Sequence, residues 1–281
     1  MEYRIHPKTG DKIGVIGIGT GPIFDTTEQE AAAALTYAYE HGVNYLDFAT
    51  AGARTFPYVG AALGSVRREL FYQIHFGANY ETGEYGWTTE LDEIKRSVAW
   101  QLENLQTDYI DLYLLHWPVP NYMDAWETLM RFYEEKKLRA IGVSNFQIRH
   151  LEALEKAGLL KPAVNQIELH PSFQQRELKP YCEERDIRIE AWSPLGGSDH
   201  LLIDRPEILS IAKKHGKTGA QVIIRWELQL GNIVIPKSVK KNRIIENANV
   251  FDFVLDEEDM ALIATMDTNQ RSYWSPDRWD T

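Results

Sequence analysis

Asp47, His75 and His116 are the residues of this chain that best suit acid–base chemistry. Each lies at the end of a short apolar run of the kind that forms buried strands. Imidazole titrates within the physiological range, and a neighbouring carboxylate favours its protonated form. If the fold brings the three strand ends together, we expect a histidine paired with Asp47 to deliver a proton.

The same three residues, with His170 nearby, also form a possible metal triad, because zinc accepts nitrogen and oxygen ligands. No local ligand motif such as paired histidines on one helix accompanies them. Metal binding is therefore the weaker interpretation, and we predict no metal site.

Other apolar runs also end in hydrogen-bonding side chains. Taken singly, each has an ordinary structural explanation as a cap or a satisfied core residue. Together they indicate that several strand ends meet at one polar site. The further strand-end residues are Ser144 with Asn145, Gln166 with Glu168, and Glu190 with Ser193.

Eight short, β-branched runs alternate with longer segments of helical periodicity, which is typical of βα units around a parallel sheet. The helical segments include residues 28–41, 90–105, 125–135, 148–157 and 219–229. The predicted strands are residues 13–16, 43–47, 70–75, 109–116, 140–143, 163–167, 187–192 and 233–235.

A turn cluster at residues 8–11 lies between two short extended runs before the first predicted strand, and this predicts a hairpin at the bottom of the sheet. No linker interrupts the rhythm of the 281 residues. The expected fold is α/β, a (β/α)8 TIM barrel with an N-terminal β-hairpin, built as a single domain over residues 1–281.

Composition excludes several classes of function. The net charge of −11 argues against general nucleic-acid or membrane-surface binding, because both depend on extended basic patches. The single cysteine, Cys182, rules out an intramolecular disulfide, and no apolar run is long enough to cross a bilayer. We expect a cytoplasmic protein, monomeric by default.

Five motifs in order resemble those of the aldo-keto reductases. Together they extend over nearly the whole chain, which makes the resemblance far more specific than any one motif. They are residues 111–118, 142–146, 165–171, 191–196 and 235–247. The resemblance implies a (β/α)8 barrel that binds NADPH without a dinucleotide fold and reduces a small carbonyl substrate. The glycine-rich run at residues 17–21 lacks the full dinucleotide fingerprint, so we interpret it as the first loop of the barrel.

The resemblance also assigns cofactor-binding residues. Ser144, Asn145 and Gln166 would hold the nicotinamide carboxamide, and Trp192 would stack on the nicotinamide ring. The remaining expected contacts are Gly19 and Thr20 in the first loop, Ser193 and Leu195 at the pyrophosphate, Lys237, Ser238 and Arg243 at the 2′-phosphate, and Glu246 and Asn247 at the adenine. Two cations beside a hydroxyl suit a phosphate dianion, although they also suit an ordinary solvated helix start.

Two catalytic positions of the family are replaced in this chain. Asp47 and His116 stand where the family has an aspartate and a histidine, but the tyrosine that protonates the carbonyl oxygen falls at Gly52 or Ala53, and the lysine falls at His75. Losing a positioned general acid costs about 10²- to 10⁴-fold in rate. We therefore expect weak carbonyl reduction, with His75 or His116 donating the proton as an imidazolium.

Other tyrosines are poor substitutes. Tyr58 falls within the next helical pattern and is expected to pack there, while Tyr80 and Tyr85 lie in a long loop. The alternative function is a non-catalytic NADPH-binding barrel. A hydrolase or lyase using Asp47 with Glu168 or Glu190 would leave the motif at residues 235–247 without a purpose.

The two parts of the chain resemble different branches of the family. Residues 1 to about 110 are similar to the branch fused to a ferredoxin-like segment, and the later part is similar to small bacterial reductases. This suggests a natural mosaic or a designed chimera as a hypothesis of origin.

Overall fold

The computed structural model describes residues 1–20, 26–49, 54–76, 91–197 and 202–279. A two-stranded antiparallel hairpin precedes a parallel sheet of eight strands in sequential order. The hairpin consists of β1 Tyr3–Ile5 and β2 Lys12–Gly14. The sheet consists of β3 Ile18–Gly19, β4 Tyr45–Phe48, β5 Phe71–Phe76, β6 Leu112–Leu115, β7 Ile141–Ser144, β8 Val164–Glu168, β9 Arg188–Trp192 and β10 Ile233–Ile235.

The first and last strands of the sheet come together and close it. Ile16 bridges Val234 and Gly19 bridges Lys237, both in parallel orientation. The Gly17 N–H also donates to the Val234 carbonyl at 2.9 Å. The expected (β/α)8 barrel with an N-terminal hairpin is confirmed.

Helices connect the strands on the outside of the barrel. In the described part of the chain they are α1 Glu28–Glu40, α2 Phe56–Leu63, α3 Leu91–Asn104, α4 Tyr122–Glu134, α5 Ile148–Lys156, α6 Leu178–Glu184, α7 Pro206–His215, α8 Gly219–Gln229, α9 Lys241–Ala248 and α10 Glu257–Ala264. The predicted helices agree with these bounds to within three residues at each end. None of the described helices is both long and apolar enough to cross a membrane.

The prediction for the first barrel strand was wrong. Residues 13–16 were expected to form it, but Lys12–Gly14 is the second strand of the hairpin and the barrel strand is Ile18–Gly19. The apolar run continues through Val15 and Ile16, which are both buried. Hydrophobicity therefore stays uniform where the backbone leaves one sheet and enters the other, so the pattern contains no signal for the switch.

Two layers of apolar side chains form the core. The inner layer fills the barrel and includes Tyr45, Phe71, Leu112 and Ile233. The outer layer packs the strands against the helices and includes Trp126 and Trp226, both almost fully buried. Because side chains fill the interior of the barrel, a ligand can enter only at the carboxyl ends of the strands, where the loops that follow them lie.

Candidate active site

The Asp47 and His75 side chains meet at the carboxyl ends of β4 and β5. His75 Nε2 lies 2.8 Å from Asp47 Oδ1, and the Gln73 amide donates to the same oxygen at 2.7 Å. Gln73 and His75 are two residues apart on β5, so both face the barrel interior. Asp47 and His75 are each 4% exposed, which places their hydrogen bond in a largely dehydrated setting.

His116 lies beside this pair, directly after β6. Its ring centroid is 4.7 Å from that of His75, with the rings at 80° in an edge-to-face arrangement. The residue retains some exposure, but its Nδ1 atom is buried. Burial, with a smaller contribution from His75, lowers the pKa of His116 well below its ordinary value. His116 is therefore a neutral imidazole at physiological pH, which leaves His75 as the better of the two candidate proton donors.

A second group of polar residues lies across the site, at the ends of β7, β8 and β9. Ser144 Oγ donates to the Gln166 carbonyl at 2.9 Å, and Trp192 Nε1 donates to Asn145 Oδ1 at 2.9 Å. The Asn145 amide donates in turn to the His116 carbonyl and to Ser144 Oγ, each at 3.1 Å. These bonds connect the four expected nicotinamide-binding residues to each other and to His116.

Two residues of this group have left-handed backbone conformations. Asn145 has φ +62° and Ser193 has φ +51°, directly after β7 and β9. Such values are uncommon for residues with a side chain and tend to occur at functional sites. Gly196 and Gly197 follow with φ of +84° and +82°. The chain thus turns sharply beside Leu195, where the sequence predicts backbone contacts to a pyrophosphate.

The first loop supplies a buried hydroxyl at the same end of the barrel. The Thr20 N–H donates to the Asp47 carbonyl at 2.9 Å, and the Gly19 N–H donates to the Pro236 carbonyl at 3.2 Å. Thr20 is 6% exposed, and its Oγ1 has no hydrogen-bond partner among the described residues. A buried hydroxyl without a partner can form a hydrogen bond with a polar group of a bound molecule.

The expected 2′-phosphate residues lie after β10 and in α9. Lys237 and Arg243 are exposed to solvent, and Ser238 Oγ accepts from the Lys240 N–H at 3.1 Å. Arg243 lies in the N-terminal turn of α9, where the helix dipole also favours an anion.

Glu246 and Asn247 lie on α9 in less open settings. Glu246 Oε1 accepts from the Thr218 hydroxyl at 2.7 Å, a contact between α9 and the start of α8. Asn247 is 8% exposed. The structure thus gives Glu246 a structural partner in addition to the adenine contact that the sequence predicts.

Some predictions concern residues outside the described part of the chain. Gly52, Ala53, Tyr80 and Tyr85 all belong to this group. Tyr58 lies in α2 as predicted, but it is 40% exposed, so the expectation that it packs there was wrong.

The metal interpretation finds no support in the described ranges, where no group of three or more His, Cys, Asp or Glu side chains is arranged to hold an ion. His75 Nε2 hydrogen-bonds Asp47, and the rings of His75 and His116 pack edge to face. The ring nitrogens of the two histidines therefore do not point at a common position where an ion could be bound.

Sequence reasoning missed two residues of the site, Tyr45 and Gln73. Tyr45 contacts Glu190 and Gln73, and all three are fully buried. A signal was present, because Tyr45 and Gln73 precede Asp47 and His75 by two residues and therefore share their face of the strand.

The chain is similar to known proteins over most of its length. The Aldo/keto reductase family model matches residues 15–268. The chain is 46% identical over 215 residues to "Glyoxal reductase" of Bacillus subtilis, covering 76% of this chain and 74% of that protein. It is 37% identical over 281 residues to "Methylglyoxal reductase DkgA" of Salmonella typhimurium, covering 98% and 97% of the two chains.

A solved structure is similar over nearly the whole fold. The crystal structure of a mutant of Gox0644 in complex with NADPH has a TM-score of 0.84 and 35% identity, and it covers 99% of this chain and 97% of that one. These matches extend across both parts of the chain, and the mosaic origin stays a hypothesis. The fold, the strand-end site and the matches together show that this chain belongs to the aldo/keto reductase family.

Proposed function

We propose that this protein is an NADPH-dependent reductase of small aldehydes and ketones in which His75 acts as the proton donor. The observation that carries the proposal is the buried hydrogen bond between His75 Nε2 and Asp47 Oδ1, with neutral His116 against the His75 ring. The names of the similar proteins, glyoxal reductase and methylglyoxal reductase, favour small dicarbonyl substrates.

The residues present suit NADPH. Thr20 offers a buried hydroxyl without a partner among the described residues, and Lys237 and Arg243 offer exposed cations, the second in the first turn of α9. Trp192, fixed by its hydrogen bond to Asn145, presents an aromatic ring beside the site. When bound, NADPH would supply the hydride for the carbonyl carbon.

The protein's own part in the reaction is proton delivery. Protonated His75 keeps one N–H on Asp47 through Nε2 and has a second at Nδ1, which has no hydrogen-bond partner among the described residues. Nδ1 would release its proton to the carbonyl oxygen, which gives the alcohol and neutral His75. Solvent would then restore the proton, while neutral His116 can orient the carbonyl by donating a hydrogen bond.

We expect turnover to be slow. The family's tyrosine position falls at Gly52 or Ala53, whose side chains carry no transferable proton. A positioned general acid is therefore missing from its family position, and a loss of about 10²- to 10⁴-fold is expected relative to an intact site.

The second candidate is an NADPH-binding barrel without turnover. It is favoured by the replacement of the tyrosine and lysine positions together, at Gly52 or Ala53 and at His75. The two functions share cofactor binding and differ only in whether a carbonyl is reduced.

The test begins with a titration of the purified protein with NADPH, followed by nicotinamide fluorescence, with Arg243→Ala as the comparison. Methylglyoxal is then added, and NADPH oxidation is measured across pH. Reduction that rises as pH falls through the histidine range supports His75 as the donor. A flat or opposite profile removes that role, binding without oxidation leaves the second candidate, and absence of binding overturns both.

A gain-of-function pair sharpens the test. Ala53→Tyr and Gly52→Tyr, each combined with His75→Lys, restore the family's side chains in the two possible registers. One of them should increase kcat by about 10²-fold or more if the missing acid limits the rate. No increase in either would mean that another step limits turnover.

A further inference from the structure

A series of hydrogen bonds crosses the barrel interior from Glu190 on β9 to Asp47 on β4. The Tyr45 hydroxyl contacts Glu190 Oε1 and lies 2.8 Å from Gln73 Oε1. The Gln73 amide then donates to Asp47 Oδ1 at 2.7 Å. Glu190, Tyr45 and Gln73 are fully buried. The mechanism proposed above does not use Glu190.

The number of hydrogens in this series determines the protonation state of Glu190. Three oxygens, those of Glu190, Tyr45 and Gln73, make two contacts too close for oxygens without a hydrogen between them, so each contact requires a hydrogen. The tyrosine hydroxyl supplies one, and the amide oxygen of Gln73 supplies none. The second hydrogen must therefore lie on Glu190.

The orientation of the Gln73 amide supports this count. Its nitrogen must face Asp47, because that carboxylate also accepts from His75 and offers no hydrogen of its own. Reversing the amide would bring its oxygen to 2.7 Å from Asp47 Oδ1, a repulsive contact between two acceptors. The amide oxygen therefore faces Tyr45 and needs the tyrosine hydrogen.

We propose that Glu190 is held as the neutral carboxylic acid and, through Tyr45 and Gln73, positions the Asp47 carboxylate against His75. Glu190 is thus a positioning residue. Its consequence for catalysis rests on the proposed function, whereas the hydrogen-bond series itself does not.

The surroundings of Glu190 agree with a neutral acid. Burial, with a smaller contribution from the charge of Asp47, raises its pKa to about 7 against the opposing effects of Tyr45, Gln73 and Gln166. These are the polar groups that face it from β4, β5 and β8, and the residue paired with it on β10 is an isoleucine. Raising the pH through neutrality would ionise Glu190 and remove the hydrogen that the Tyr45–Gln73 contact needs.

Glu190→Gln mimics the neutral acid at every pH. Its amide N–H can donate to Tyr45, and its oxygen can still accept from Gln166, which now donates to Glu190 Oε2 at 3.1 Å. Tyr45→Phe has the opposite effect, because it removes the hydroxyl that connects Glu190 to Gln73. The matched control is Glu227→Gln, since Glu227 is also fully buried with a pKa raised to about 8, but it bonds Asn232 instead of the site.

Infrared spectroscopy of the cofactor-free protein tests the protonation state. At mildly acidic pH the wild type should show carboxylic-acid carbonyl bands from Glu190 and Glu227. Glu190→Gln should remove one band and Glu227→Gln a different one. If Glu190→Gln leaves every such band in place, Glu190 is ionised and the proposal is overturned.

Proton NMR of the cofactor-free protein tests the positioning. The His75 Nε2–H proton should give a downfield resonance, with His215, which pairs with Asp259 at 2.7 Å, as the internal control. In Tyr45→Phe the His75 proton should exchange with solvent several-fold faster, while the exchange of the His215 proton is unchanged.

The pH dependence of exchange compares the wild type with Glu190→Gln. The His75 proton should lose protection from exchange at mildly alkaline pH in the wild type and keep it in Glu190→Gln. Equal exchange in all three proteins contradicts the positioning, and the Glu190→Gln comparison still decides if Tyr45→Phe does not fold.

Neither measurement requires turnover. A protein that shows the expected bands and exchange rates but reduces no carbonyl would disprove the proposed function and leave the role of Glu190 in positioning Asp47 intact. A protein that reduces methylglyoxal but lacks these signals would support the proposed function and disprove the role of Glu190 in positioning Asp47.

Discussion

His75 donates through Nε2 to the Asp47 carboxylate at 2.8 Å, in a position where both side chains are almost completely removed from solvent. The bond joins strands β4 and β5, and the register between these strands determines it, since Asp47 lies opposite Gln73 and His75 is two residues further along. A shift of one residue would turn His75 away from the interior.

Replacing His75 should affect catalysis and spare cofactor binding. We expect His75→Gln to lower kcat for methylglyoxal by about 10²- to 10⁴-fold, because a positioned general acid is lost, with little change in NADPH affinity. The control is His215→Gln, which breaks another histidine–aspartate pair far along the chain, at Asp259. Steady-state kinetics with a parallel fluorescence titration make the comparison, and an equal loss in both variants would contradict a catalytic role.

Replacing Arg243 should weaken NADPH more than NADH. An exposed guanidinium that pairs with a phosphate contributes about 1.5–3 kcal/mol, so Arg243→Ala should raise the Kd for NADPH by roughly 10- to 100-fold. NADH lacks the 2′-phosphate, and its Kd should barely change. Lys8→Ala, in the exposed hairpin turn at the other end of the barrel, serves as the charge-matched control. Equal losses for both cofactors would place the phosphate elsewhere.

Backbone strain at Ser193 should relax on substitution by glycine. The residue has φ +51°, and such conformations cost on the order of 1–3 kcal/mol in residues other than glycine. We expect Ser193→Gly to raise the free energy of unfolding by up to about 1 kcal/mol and to weaken NADPH binding, because the turn becomes less ordered. Gln106→Gly relieves a similar conformation, φ +53°, at the end of α3 and should stabilise without altering the Kd. Urea denaturation and fluorescence titration measure the two effects.

The stability of the wild type should fall as pH rises, partly because of Glu227. Burial raises its pKa to about 8 in the folded protein, against a hydrogen bond from Asn232, so the folded state binds more protons than the unfolded state between about pH 4.5 and 8. Its contribution is retained below that window and lost as pH rises through it. At about 1.4 kcal/mol per pKa unit the loss is on the order of 5 kcal/mol.

Glu227→Gln should remove this part of the pH dependence. Urea unfolding of both proteins across the window measures it, and the variant should lose less stability than the wild type as pH increases. Parallel curves would show that Glu227 is ionised in the folded state throughout.

The sequence by itself determined the architecture and most of the residues that lie in the site. Apolar runs with polar ends predicted seven barrel strands, and they also placed Asp47, His75 and His116 at strand ends, because strand periodicity is a local property of the chain. The exception was the first strand, where the apolar run from Ile13 to Ile18 continues across two sheets and contains no break.

Only the tertiary structure decided which of these groups bond and which are charged. Tyr45 and Glu190 are 145 residues apart, and they meet because barrel closure brings β4 and β9 to opposite sides of one narrow interior. The neutral state of His116 likewise follows from burial beside His75, which composition cannot reveal. Hydrogen bonds and desolvation depend on distances through space, and closing the barrel is the step that fixes those distances.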